Sequence, residues 1–143
     1  MTNAKDFLKG YYLAKRREQL LQREYDILRA SMADIRATDF SKVIVDGSME
    51  RDRIGALIAQ LEDKAMKVVK ARIKAHSELV KIMGVVLQVE DPTIQEILVS
   101  RYIELRKWED IEEDMFYTER HLHNLKNKGY EEVGKILEGE SDA

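Results

Sequence analysis

Apolar side chains recur along the first quarter of the chain at alternating steps of four and three: Phe7, Tyr11, Ala14, Leu21, Tyr25, Leu28, Met32 and Ile35, with Glu18 occupying one place in the series. Such steps fall on one side of a helix, so the stripe predicts a narrow coiled-coil-like seam on a helix of roughly 30 residues. At the ordinary helical rise that element spans about 45 Å, and it needs a partner to be stable. The segment Thr38–Ser48 breaks the pattern with Asp39, Ser41, Asp46 and Gly47 around Val43-Ile44-Val45, which predicts a turn or short extended piece. Helical spacing resumes behind Ser48, a plausible N-cap with Glu50 in the first turn, through Ile54, Ile58, Leu61, Ala65, Val68, Ala75, Leu79, Ile82 and Val86. Arg72 sits in this second seam, either to fix its register or to run its stem along the seam and reach water with its head.

Two long amphipathic helices joined by a bend form an antiparallel hairpin, the expected fold of residues 1–89. Apolar residues on the second helix cover more than one seam, which points to further burial. Either a second copy covers that surface, making a homo-oligomer with a dimer favoured, or the C-terminal part of the same chain does.

Asp91-Pro92-Thr93 then marks a new helix start, because Asp caps a helix and Pro fits its first turn without losing a needed donor. Ile94, Ile97, Leu98, Arg101, Tyr102 and Leu105 follow at helical spacing. Trp108 and Ile111 mark a short acidic helix, and Thr118 caps another carrying Leu122 and Leu125. Three short helices in close succession suit a helix-turn-helix over residues 90–138, with 139–143 a disordered tail. The expected fold class is all-α.

Composition supports this reading and narrows the chemistry. Of 143 residues 36% are charged, one is Pro and none is Cys, so a disulfide scaffold and a thiolate metal site are excluded. Lys and Arg number 24 against 27 Asp and Glu, which denies the chain the basic excess of a nonspecific nucleic-acid binder. Met1–Lys9 lacks the apolar run of a secretion signal, and Ile82–Leu87 is too short to cross a bilayer. A cytoplasmic protein with no membrane partner is expected. No nucleophile, base and orienting group stand in a recognisable arrangement and no glycine-rich phosphate loop occurs, so an enzyme is not expected. His121 and His123, two apart, face different sides of a helix, and no third ligand joins Glu119 beside them, so no metal or other cofactor is expected. His76 reads as a surface residue, while Tyr102, Trp108 and Tyr117 read as core of the small domain.

The strings Arg101-Tyr102-Ile103, Trp108-Glu109-Asp110-Ile111 and Tyr117-Thr118-Glu119-Arg120-His121-Leu122 resemble region 4 of bacterial sigma factors. Together with the long helical N-terminal half, the chain is similar to phage and prophage proteins of the ArpU and RinA type. The resemblance implies a regulator of late phage transcription in a bacterial host that binds double-stranded promoter DNA, and the helical hairpin would then dimerise it or dock it on RNA polymerase. Promoter DNA would meet the exposed side of the helix that begins at Thr118. The helical period finds the same side: Leu122, Leu125 and Gly129 face inward, so Arg120, Asn124 and Asn127 face out with His123 beside them. Arg suits a guanine edge and Asn an adenine edge, Lys126 and Lys128 suit phosphate, and Thr118 suits the backbone at the helix start. Glu119 either accepts from cytosine or favours the helix N-terminus.

Four positions depart from the pattern. Glu112 stands where a small inner residue is usual, and Lys107 where a hydroxyl cap is usual. Phe116 stands where the turn has Gly, which requires a strained backbone or a differently shaped turn. Gly129 replaces Ala and weakens its helix by about 1 kcal/mol. Glu109, Asp110, Glu112, Glu113 and Asp114 crowd the first motif helix and would repel phosphate if they faced it. Two other readings of the same fold therefore stand beside the regulator: a small terminase subunit that packages DNA, and a protein-interaction module that has lost DNA binding.

Overall fold

The computed structural model describes residues 3–37 and 48–142, and all regular structure among them is helical. The elements are α1 (Ala4–Leu8), α2 (Gly10–Ala37), α3 (Ser48–Val86), α4 (Pro92–Leu98), α5 (Trp108–Met115) and α6 (Glu119–Asp142), with a π-helical turn at Val99–Ile103. The all-α expectation holds. The expected bend at Thr38–Ser48, with its Val43-Ile44-Val45 run, lies outside the described residues up to position 47, and so does the side chain of the proposed Ser48 cap, whose backbone opens α3. No helix among the described residues is long and apolar enough to cross a membrane.

The chain divides into two compact units, and both draw on α2 and α3. One is Lys15–Lys74, and the other joins Met1–Ala14 to Ala75–Ala143. This differs from a division near residue 89. The compact unit that holds the helix-turn-helix does not begin where the second long helix stops, because it includes that helix's last turns and the first residues of the chain.

In the Lys15–Lys74 unit the two helices run antiparallel. Arg72 meets Glu18 at 3.4 Å and Lys64 meets Glu24 at 2.6 Å. Further along, Leu57 and Leu61 share a small apolar hollow with Leu28, Met32 and Ile35. Arg72 also donates to Gln22 Oε1 at 2.6 Å, and Lys15 reaches Glu18 at 2.8 Å. Arg72 thus bridges to α2 with its guanidinium largely in water, while Glu18 is buried. The Lys64 ammonium, by hydrogen bond and charge, holds the Glu24 carboxyl below its ordinary value.

In the other unit, Asn3 caps α1 by accepting from the Lys5 N–H at 2.9 Å. Leu8 of α1 is buried with Ile82, Val85 and Val86 of α3, Val89, Ile94 and Leu98 of α4, Tyr102, and Val133 of α6. A second, smaller core of Ile97, Ile111 and Leu122 lies inside the helix-turn-helix. Between them these apolar groups offer most of the unit's stabilisation, at roughly 1.5–3 kcal/mol for each large side chain taken fully from water. α6 continues through residues 139–142, where an unstructured tail is expected from the sequence.

Candidate nucleic-acid interface

The interface begins with a capped helix. Asp91 Oδ1 accepts from the N–H groups of Thr93 and Ile94 at 2.9 and 3.4 Å, and Pro92 occupies the first turn. α4 then loosens into the π-helical turn, where the Glu104 N–H donates to the Val99 carbonyl at 2.9 Å. Leu105 follows with φ 59°, a left-handed residue that ends the helix. The turn is tied down from both sides. Arg101 Nη1 donates to the Arg106 carbonyl at 2.9 Å, and the Arg106 N–H donates to Ser100 O at 3.0 Å. The Arg106 guanidinium is hydrogen-bonded to Asp114, near the far end of α5, and that bond raises the arginine's own pKa.

α5 starts without a side-chain cap at Lys107, as the absence of a hydroxyl there implies. It ends at Phe116, which sits in the left-handed region at φ 56°, ψ 35°. The turn therefore takes the backbone shape that Gly favours, with an aromatic residue at that position. The Tyr117 N–H donates to Glu112 O at 3.1 Å, closing the end of the helix. Phe116 is 95% exposed, so its ring contributes nothing to the core. Thr118 Oγ1 accepts from the His121 N–H at 3.1 Å and caps α6, and Tyr117 packs edge-on against the His121 ring.

Leu122 and, partly buried, Leu125 seal α6 onto Ile97, Ile111 and Trp108. The opposite side of its first turns carries Glu119, Arg120, His123, Asn124, Asn127 and Lys128, all exposed, with Thr118 at the cap also exposed. His123 and Asn127 hydrogen-bond each other at 3.2 Å across one helical turn. Arg120 and Asn124 lie four apart on the same side. Of the sequence-derived DNA residues only Lys126 is placed differently: it is half-buried, with Nζ 5.0 Å from the centre of the Trp108 ring. Arg101 approaches that ring at 5.1 Å. The Trp108 contact engages the Lys126 ammonium, while Lys128 stays exposed.

No family model, curated protein or solved structure matches the chain.

A groove between α5 and α6 adjoins the outward face. Glu109 and Glu112 line it from α5, and Glu119, Arg120, His123 and Lys126 line it from α6. Both signs of charge therefore meet within it. Over residues 91–142 the sequence holds 14 acidic side chains against 7 basic ones. Among the described residues no group of His, Cys, Asp or Glu is arranged to hold a metal ion.

Tyr102, Trp108 and Tyr117 take core positions, as the helical spacing predicts. Tyr102 stands edge-on to Trp108 at 6.2 Å, and its hydroxyl is hydrogen-bonded to that of Tyr130. Burial, then this bond, pushes the Tyr102 hydroxyl well above the usual phenol range; burial also raises Tyr130. Sequence reasoning does not find the Arg101–Trp108–Lys126 stack or the Arg106–Asp114 tie. Their members are 7 to 18 residues apart across helix breaks, so no periodic signal connects them.

Proposed function

We propose that the protein is a DNA-binding transcription regulator of the phage or prophage kind, acting in a bacterial cytoplasm, that reads promoter DNA with the exposed side of α6. One observation carries this reading: Thr118 caps a helix whose inner side is sealed by Leu122 and Leu125 while Arg120, Asn124 and Asn127 stand exposed on the other. A helix held in this way behind a short first helix and a tight turn is suited to the major groove. Arg120 would read a guanine edge, Asn124 and Asn127 adenine edges, and Lys128 would meet phosphate. The long hairpin is left for partner contacts, RNA polymerase among them.

The carboxylates of Glu109, Glu112 and Glu119 beside that face favour a second reading, a protein-interaction module on the same fold. Binding to duplex fragments of the surrounding genome at low and moderate salt separates the two. A regulator binds selected fragments, and Arg120→Ala with Asn124→Ala removes the selectivity. Equal binding by that double variant, or no binding by the parent at low salt, would count against the regulator.

A further inference from the structure

Beyond the seam that α3 turns toward α2, the same helix carries a second one. Met66, Val69, Ile73, His76, Val80 and Met83, with Leu87 in the turn just past its end, follow each other at strictly alternating steps of three and four, each one place beyond a residue of the inner seam. None of them is buried: Ile73 is 65% exposed, Val80 56% and Leu87 59%, and His76 is exposed too. Scattered apolar residues on a surface need no explanation, but a sustained heptad pattern is the signature of a partner helix.

We propose that this outer seam of α3 pairs antiparallel with the outer seam of a second copy, about a two-fold axis between Ile73 and His76. In that register Met66 meets Met83 of the second copy, Val69 meets Val80, and Ile73 meets His76. Matching layers are of like size, as an isologous contact requires. The seam from Met66 to Met83 is about 25 Å long at the helical rise. Its single polar member lies next to the axis, where each imidazole packs on an isoleucine; a parallel pair would stack the two imidazoles in one apolar layer. The flank of the seam also suits a copy of itself. It consists of Lys70, Ser77 and Gly84, so Lys70 faces Ser77 of the second copy and no like charges oppose one another there. A Cβ added at Gly84 would meet nothing within 4 Å, so a neighbouring backbone has room. The lysines at 67, 74 and 81 stand one step further round, where water screens them. This contact is independent of what α6 binds.

Light scattering on the full chain without DNA tests the proposal. The parent is expected at twice the chain mass at tens of micromolar, and Ile73→Glu or Val80→Glu at the chain mass with unchanged helical circular dichroism. Ser77 is exposed on the flank, so substitutions there leave the helix intact. Ser77→Glu, facing Lys70, should tighten the dimer several-fold, and Ser77→Lys should loosen it about as much. The chain has no cysteine, so orientation can be read by oxidation. Val69→Cys with Val80→Cys should cross-link the dimer, while Val80→Cys alone should not. A monomeric parent overturns the proposal, whether it stays in solution or moves onto acidic lipid vesicles. A dimer that survives Ile73→Glu, or cross-linking by Val80→Cys alone, overturns it as well.

Discussion

The Glu18 carboxylate, buried in the seam of α2, lies 3.4 Å from the Arg72 guanidinium in the seam of α3. Two charged residues that interrupt apolar stripes 54 positions apart thus interrupt them at the same level, and each supplies the other's counter-charge. Removing one partner leaves a charge in the seam, whereas replacing both by hydrocarbon leaves none. Arg72→Leu should cost about 1 kcal/mol, a modest loss because Lys15 still reaches Glu18 and the guanidinium is well solvated. Glu18→Leu with Arg72→Leu should be at least as stable as the parent in urea unfolding. A double variant less stable than both single ones would show that the pair is worth more than its burial costs.

Phe116 holds a left-handed backbone that glycine adopts freely, and its ring packs on nothing that its removal would lose. Relief of that strain, less the extra freedom of glycine in the unfolded chain, predicts that Phe116→Gly stabilises by about 0.5–1 kcal/mol. Phe116→Val, branched at Cβ, should destabilise. Thermal melts of the two variants, shifted in opposite directions, would establish the strain, and a shift in the same direction would refute it.

Two glycines of α6 make opposite demands. A Cβ at Gly129 would lie 3.1 Å from Ile94 Cγ2 and 3.3 Å from Leu98 Cδ2, both on buried side chains, but at Gly134 it would meet nothing within 4 Å. Gly134→Ala should therefore gain about 1 kcal/mol from helix propensity. Gly129→Ala gains the same propensity and loses more to overpacking, for a net destabilisation of about 1 kcal/mol. Chemical denaturation of both variants decides the matter, and an equal gain from each would mean that α4 yields freely.

Tyr102 and Tyr130 have folded-state pKa values above the ordinary 10.0. The sign follows from linkage: the unfolded chain gives up these protons first, so their contribution is complete below pH 10 and is lost as pH rises through the folded values. Stability should accordingly fall on the alkaline side of pH 10. Tyr102→Phe with Tyr130→Phe, which removes both hydroxyls together, should flatten that fall. A double variant with an unchanged alkaline limb in pH-dependent melts would place its cause elsewhere.

The helices and the motif turn are legible in the sequence because local rules write them. Asp91-Pro92, Thr118 and the spacing of Ile111 with Leu122 carry their own caps and faces. For Phe116 the sequence leaves a strained backbone or a differently shaped turn, and the left-handed backbone is the first of these. Other features depend on contacts that no periodicity encodes. Gly129 reads locally as a weak helix position, yet it is where α6 approaches α4. Lys126 reads as a free cation, yet it lies over Trp108. The sequence suggests a disordered tail at 139–143, yet α6 runs through Asp142, because buried Val133 and half-buried Ile136 and Leu137 hold the preceding turns in the larger core.

That larger core decides how portable the motif is. A fragment cut at Asp91 would carry every residue proposed to touch DNA and lack Leu8, Ile82, Val85, Val86 and Val89, whose removal strips the support from Leu98, Tyr102 and Val133. Grafting or expressing the last third alone would give a chain with the right surface and nothing to stand on. Testing the proposed DNA readout calls for changing the outward residues of α6 one at a time, with both ends of the polypeptide left in place.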